Sequence, residues 1–140
     1  MSQLKLPYNI PKGVCHCDTH YSNFLYKDTK ISAVLDFDDA SYTYLLYDIA
    51  SMIYFWAWPR KGELNFNRAQ NILKEYSKYR ELTEVEKRHL YDFLKMSIFM
   101  SIGWFIYDDD DFFWEKKKIE FLNSFGREKF YSCFFNQMIY

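Results

Sequence analysis

The spacing of apolar residues changes character near residue 44. Before it, apolar positions come in short β-leaning runs at 13–17, 23–26 and 31–37. The polar stretch YKDTK at 26–30 is a turn signal, so the last two runs are predicted to form a hairpin. Beyond residue 44 the pattern is helical. Positions 44–58 are apolar on nearly every face and stop at Pro59 and Gly62, the pattern of a buried helix. Ala69, Ile72, Leu73 and Tyr76 repeat at the i, i+3, i+4, i+7 spacing of a second helix, with Asn65 or Asn67 as its N-cap. Thr83 and Glu86 stand at capping-box spacing before a third helix, amphipathic in its first turns and apolar on most faces later. Residues 112–125 and 127–139 read as two shorter helices separated by Gly126. No repeat, low-complexity linker or second domain interrupts the chain. The expectation is an α+β fold in one domain over 1–140, a small β unit followed by a mainly helical bundle.

Composition sharpens this picture. The chain has 140 residues, 49% apolar and 22% aromatic, with four glycines and three prolines. That is an ordered, core-rich domain, the opposite of the polar composition that stays disordered. A net charge of −1 gives no sign of a nucleic-acid partner. Three cysteines, Cys15, Cys17 and Cys133, are an odd count, and the opening MSQLKLPYNIPKG has no apolar leader, so no disulfide framework is expected. The most apolar window, 96–107, is too short to span a bilayer and is preceded by Asp92 and Lys95. A cytoplasmic protein with no membrane partner is expected.

The candidate chemistry lies in two clusters: HCDTHYSN at 16–23, and DFDD starting thirteen residues after Asn23. Three readings are open. Cys15, His16, Cys17 and His20 are metal-capable, but a structural zinc draws on two separated ligand pairs and no second pair follows. A second reading is structural: a strand end and a polar turn, with Asp and Asn as turn formers and the thiols buried as small hydrophobes. The third is phosphoryl transfer. There, an Asp that orients a hydroxyl nucleophile, an Asn that binds magnesium and a second Asp on a following hairpin form a coherent set. The reacting phosphates are highly charged, and magnesium needs hard oxygen ligands to neutralise them.

Three segments, LPYNIPKGVCHCDTHYSNFLY, ISAVLDFDDA and YLLYDIA, together resemble the aminoglycoside phosphotransferase and choline/homoserine kinase group, which has the protein-kinase-like fold. That group carries His-x-Asp-x4-Asn, a hydrophobic strand ending in Asp-Phe, and a Tyr-Asp-Leu/Ile-Ala helix start. All three occur here in order and at similar spacing. The later FNRAQNILKEYSKYRELTEVEK is similar to the corresponding helices of homoserine kinases. The resemblance implies Asp18 as catalytic base, Asn23 and Asp36 as magnesium ligands, and ATP as phosphate donor. It implies structural support of the catalytic loop by His16 and Asp48, with His20, Asp38 and Asp39 as candidate lining residues. Cys17 stands where protein kinases have an Arg that pairs with an activation-loop phosphate, which argues against that control. Asp38 replaces their Gly after Asp-Phe, a position where a backbone flip is harder for Asp.

The resemblance covers the C-terminal lobe of such a kinase. Gly13, Gly62, Gly103 and Gly126 are too scattered for a phosphate loop, and the twelve residues before Gly13 are too few for a five-stranded nucleotide lobe. Two functions of different class are therefore carried forward. One is the catalytic and substrate lobe of a small-molecule kinase, working with an N-terminal lobe supplied elsewhere. The other is a non-catalytic remnant or interaction module with the same fold, and in either case lobe surface left bare would favour self-association. For the acceptor, the run Asp108–Asp111 with Trp104, Phe105 or Trp114 suggests an acidic wall for an amine-bearing alcohol such as an aminoglycoside or choline. Homoserine is the nearest competitor. The plainer reading of the run is a solvated helix start.

Overall fold

The computed structural model describes residues 7–104 and 108–136. The fold is α+β, with two small antiparallel ladders and a mostly helical remainder. Strand β1 (Lys12–Cys15) pairs with β4 (Ser41–Tyr44), Lys12 opposite Tyr44 and Cys15 opposite Ser41. Between them, β2 (Phe24–Lys27) and β3 (Lys30–Val34) form the hairpin that the turn signal predicts. Its two-residue turn puts Asp28 in the left-handed region (φ 57°), which Asp tolerates better than most residues.

The pairing is nested, β1 with β4 outside and β2 with β3 inside. Such nesting brings the two connecting loops, 16–23 and 35–40, to the same place. Leu35 N–H donates to Asn23 O at 2.8 Å and ties them together. Strand β4 was not expected. The apolar run starting at Tyr44 reads as the beginning of a helix, and only the partner β1 makes 41–44 a strand.

The helices are α1 (Leu46–Ala57), α2 (Phe66–Ser77), α3 (Glu84–Trp104), α4 (Asp109–Phe125) and α5 (Arg127–Tyr131), followed by a π-helical turn, Ser132–Asn136. Helix α1 packs on α3 and α2, and α3 also carries α4 and α5. Leu46, Ile49, Ala50 and Ile53 of α1 meet Leu90, Phe93, Leu94 and Ile98 of α3 in one buried cluster. Truncating any of its large members to Ala would cost about 2–5 kcal/mol.

The caps are those the sequence predicts. Asn65 Oδ1 accepts from Arg68 N–H at 3.0 Å. Thr83 Oγ1 accepts from Glu86 N–H, and the Glu86 carboxylate accepts from Thr83 N–H, a reciprocal capping box. Helix α4 starts at Asp109, three residues before the expected position. The reason is Asp108, whose carboxylate caps the N–H groups of Asp110 and Asp111 and places three acids in the first turn, where the helix dipole favours them. The last helix is shorter than predicted at α5, and the remainder of the expected run, 137–139, lies outside the described residues, as does 105–107. No helix among the described residues is long and apolar enough to cross a membrane.

Candidate active site

The 16–23 loop is held from α1. Cys17 adopts a left-handed backbone (φ 68°), a conformation with a real cost for a residue with a Cβ. Asp48, in the first turn of α1, stabilises it: its carboxylate accepts from the backbone N–H of His16 at 2.7 Å and of Cys17 at 2.9 Å. Farther along the loop, Thr19 Oγ1 donates to Ser51 Oγ at 2.9 Å, and Trp56 Nε1 donates to Thr19 O at 2.8 Å. Asp48, Ser51 and Trp56 thus fasten the loop to α1, which packs on both α3 and α2.

His16 bridges the two loops. Its Nε2 lies 2.7 Å from Leu35 O and its Nδ1 accepts from Asp18 N–H at 3.3 Å, which together require the Nε2–H tautomer. The ring also packs on Phe37, with centroids 4.6 Å apart. Asp36, one residue after Leu35, is left-handed as well (φ 59°). Its carboxylate has no hydrogen bond or ion pair among the described residues.

Asn23 is buried, and its Nδ2 donates to Asp18 Oδ2 at 2.8 Å and to Asp18 O at 3.1 Å. Asp18 Oδ1 accepts from His20 N–H at 3.3 Å. The base candidate is therefore positioned by its own loop, and the Asn23 amide is oriented with both donors spent on Asp18, while its Oδ1 accepts only a long 3.4 Å bond from Ser22 Oγ. Asp18, His20, Asp36 and Asp39 all line one cavity of about 850 Å³. Asn23, His16 and Asp48 sit behind that lining, and exposed Asp38 is not part of it.

The metal-capable thiols diverge. Cys15 is buried with Sγ 3.4 Å from Tyr44 O, while Cys17 Sγ lies 3.2 Å from Ser41 Oγ. Burial, and then the Asp48 charge, push the Cys15 thiol up to about 11. A thiol that resists ionisation is a poor zinc ligand.

The far wall of the cavity comes from Tyr47, Ser51, Tyr54 and Phe55 of α1 and from Met96, Ser97, Met100 and Ser101 of α3. The sequence reading missed these residues. The signal was present: hydroxyls at i, i+4 spacing (Ser97, Ser101) on otherwise apolar helical turns, and Tyr47, Ser51 and Tyr54 at i, i+4, i+7. Burial pushes the Tyr47 hydroxyl up to about 12, with the Cys17, Asp48, Asp18 and Asp39 charges adding to it. No lysine or arginine is among the described residues that line the cavity.

The acidic wall drawn from Asp108–Asp111 is corrected by the geometry. None of the four lines the cavity. Asp108 caps α4, Asp110 pairs with Lys61 at 2.5 Å, and Asp111 is buried against the Arg60 guanidinium. The carboxylates that do face the cavity are Asp18, Asp36 and Asp39. Phe105 and the Trp104 side chain lie outside the described residues.

A family model described as the phosphotransferase enzyme family matches residues 3–84, well over half of the chain. The chain belongs to that family. Among curated proteins it is similar to the homoserine kinase of Rhodospirillum rubrum, 31% identical over 80 residues that cover 57% of this chain and 25% of that one. The homoserine kinase of Bradyrhizobium diazoefficiens is 32% identical over 84 residues, covering 60% and 26%. That of Granulibacter bethesdensis is 33% identical over 84 residues, with the same coverage. The chain thus spans about a quarter of the length of these relatives. The matched part of this phosphotransferase-family chain contains both loops, the nested strands and α1. It stops as α3 begins, so the α3 side of the cavity lies beyond it.

Proposed function

We propose that this chain is the catalytic and acceptor-binding lobe of an ATP- and magnesium-dependent kinase that phosphorylates a hydroxyl of a small amine-bearing alcohol. The observation that carries the proposal is the Asp18 carboxylate, open to the cavity and oriented by the Asn23 amide, with Asp36 on the same cavity. Asp18 is the base: as the acceptor oxygen bonds to the γ-phosphorus, its proton passes to the Asp18 carboxylate, and the bond from phosphorus to the ADP oxygen breaks. Asn23 Oδ1 and the Asp36 carboxylate are hard oxygen donors, Oδ1 accepting only a long 3.4 Å bond from Ser22 Oγ and the carboxylate having no partner among the described residues, which fits magnesium. When bound, the ion supplies charge neutralisation for the phosphates. His16 and Asp48 act by holding the two loops in register.

The C-lobe architecture of a protein-kinase-like fold follows from this reading, with a nucleotide-covering lobe contributed by polypeptide outside these residues. Three carboxylates and no lysine or arginine on the described cavity wall favour an acceptor with a positive charge. Homoserine, named for the relatives, carries such a group, as do ethanolamine, choline and aminoglycosides. A cytoplasmic location suits a kinase that uses ATP.

The test is phosphotransfer from γ-labelled ATP to this panel, by the chain together with a nucleotide lobe. Transfer to an amine-bearing alcohol that is lost in Asp18→Ala, with ATP still bound, is the expected result. Transfer that survives Asp18→Ala refutes the base assignment. Absence of transfer to every alcohol favours the alternative, a non-catalytic module with the same fold. The apolar side chains exposed along the β unit, among them Val14, Ile31, Phe37 and Tyr42, are the observation in favour of that second reading, since they offer a docking face.

A further inference from the structure

The far wall of the cavity carries two serines on one face of α3. Ser97 and Ser101 stand one helical turn apart, and both line the cavity. Both are more than nine-tenths buried, at 6% and 8% exposure. At i, i+4 spacing their Cβ atoms are about 5–6 Å apart and lie on the same side of the helix. Serine forms helix less readily than Ala and carries a polar group into the packed interior, so each buried hydroxyl needs partners.

The bonds already made give the two hydroxyls opposite polarity. Ser97 Oγ donates to Phe93 O at 3.1 Å. A carbonyl oxygen only accepts, so the Ser97 proton is engaged and its lone pairs are open. Ser101 is the reverse. Tyr54 Oη donates to Ser101 Oγ at 2.6 Å, and the Ser101 proton has no acceptor among the described residues. No bond joins the two serines to each other among those residues. Helix α3 thus presents to the cavity, one turn apart, a lone pair at Ser97 and an O–H donor at Ser101.

We infer that Ser97 and Ser101 hold a hydroxyl of the acceptor other than the one that receives phosphate, so that the substrate class is an amino alcohol with at least two hydroxyls. The inference rests on the proposed function in placing the acceptor in this cavity. One hydroxyl oxygen between the serines accepts from Ser101 and donates to Ser97. With about 2.8 Å on each side it spans up to about 5.6 Å, close to the helical pitch of about 5.4 Å. Other groups answer one serine only. An ammonium has donors and no lone pair, so it suits Ser97 and sets N–H against O–H at Ser101. A carboxylate has lone pairs and no donor, so it suits Ser101 and sets oxygen against oxygen at Ser97. A methyl group suits neither and leaves the Ser101 proton unpaired. The ammonium of the acceptor falls to the carboxylates Asp18, Asp36 and Asp39 on the same cavity. Ser97 and Ser101 are specificity determinants and take no part in bond making.

Serinol, an amino diol, and alaninol, the same molecule with one hydroxyl replaced by hydrogen, are the probes. Binding of serinol and of both enantiomers of alaninol to the chain is measured by NMR titration, without nucleotide or magnesium. The proteins are wild type, Ser97→Ala, Ser101→Ala and the double variant Tyr54→Phe with Ser101→Ala. The double variant removes both partners of one bond, so it keeps the test open if Ser101→Ala alone is destabilised by an unpaired Tyr54 hydroxyl. Serinol should bind wild type more tightly than either alaninol by on the order of tenfold. Loss of either serine hydroxyl should weaken serinol binding until the ligands agree to within about twofold. Equal binding in wild type, as when water alone fills the pair, overturns the inference. So does a preference for serinol that persists in the serine variants, or no saturable binding of serinol. The titration contains no phosphate donor, so its outcome is separable from the kinase reading. Preference without phosphotransfer to any alcohol would sink the kinase reading alone, and transfer to alaninol as readily as to serinol would sink the serine pair alone.

Discussion

Asp48→Asn isolates what holds the 16–23 loop. The wild-type carboxylate accepts two backbone N–H bonds, at 2.7 and 2.9 Å, across the left-handed Cys17. Asparagine keeps one acceptor oxygen, now neutral, and turns an NH2 toward the other N–H. One charge-assisted bond is lost and the second is weakened, and bonds of this kind contribute about 1.5–3 kcal/mol each, which puts the expected loss at about 3 kcal/mol. Unfolding entropy near 60 °C is about 2.1 cal/mol/K per residue, so 140 residues give about 0.3 kcal/mol per degree. The melting temperature should therefore fall by about 10 °C if the loop unfolds with the domain. Calorimetry reads that fall, and amide hydrogen exchange reads the loop itself, where the His16 and Cys17 amides should lose protection first. Cys17→Gly is the control. Glycine accepts φ 68° without the Cβ clash, so this variant should be neutral or up to about 1 kcal/mol more stable. A melting temperature for Asp48→Asn within about 2 °C of wild type, equivalent to well under 1 kcal/mol, would refute the reasoning. So would unchanged protection at His16 and Cys17.

Three further outcomes follow from other parts of the structure. Burial raises the Glu86 carboxyl, but its bonds to Arg80 and Thr83 outweigh this and hold it below its ordinary value of 4.5. Its stabilising contribution is therefore complete above that value and is lost as pH falls through the lower, folded-state pKa. Glu86→Gln should lower stability at pH 7 by about 3–5 kcal/mol and flatten the acid limb of a pH–stability curve, and an acid limb parallel to wild type would contradict this. The Cys15 thiol, buried and pushed up to about 11, should resist a disulfide reagent at pH 8 until the protein unfolds, while half-exposed Cys17 and Cys133 react first. Peptide mapping that finds Cys15 labelled as fast as Cys17 would count against that burial. The chain should also self-associate at high concentration through the apolar β unit. Tyr42→Lys with Ile31→Lys should reverse that in sedimentation velocity, and a monodisperse wild-type monomer would exclude it.

Legibility in the sequence followed the range of the interactions. Caps at Asn65 and Thr83–Glu86 could be read because three or four neighbouring residues decide them. The hairpin could be read for the same reason. Strand β4 could not, because the β-prone run SYTY is only four residues long, merges into the apolar helical pattern that follows, and depends on the distant partner β1, Ser41 pairing with Cys15 and Tyr44 with Lys12. The two site loops stood out as motifs, and what brings them together is the nesting that β4 completes. Of the run Asp108–Asp111, read plainly as a solvated helix start, the first three acids are exposed at the start of α4, whereas Asp111 is buried, because its neutralising Arg60 comes from the turn after α1, 51 positions earlier. The cavity wall on α1 and α3 was read only as core. Its hydroxyls are spaced like core positions, and their exposure to a cavity depends on how the two helices pack.

In the proposed function Asp18, Asn23 and Asp36 form one divalent-cation and phosphate site. Manganese prefers hard oxygen ligands as magnesium does and broadens nearby NMR signals, so titration with manganese and ATP locates that site directly. The Asn23 side-chain amide and the backbone signals of 18–23 and 35–37 should broaden first, and Asp36→Asn should abolish this pattern in a chain that remains folded. Broadening that is unchanged in Asp36→Asn, or that centres on Asp108–Asp111, would contradict it.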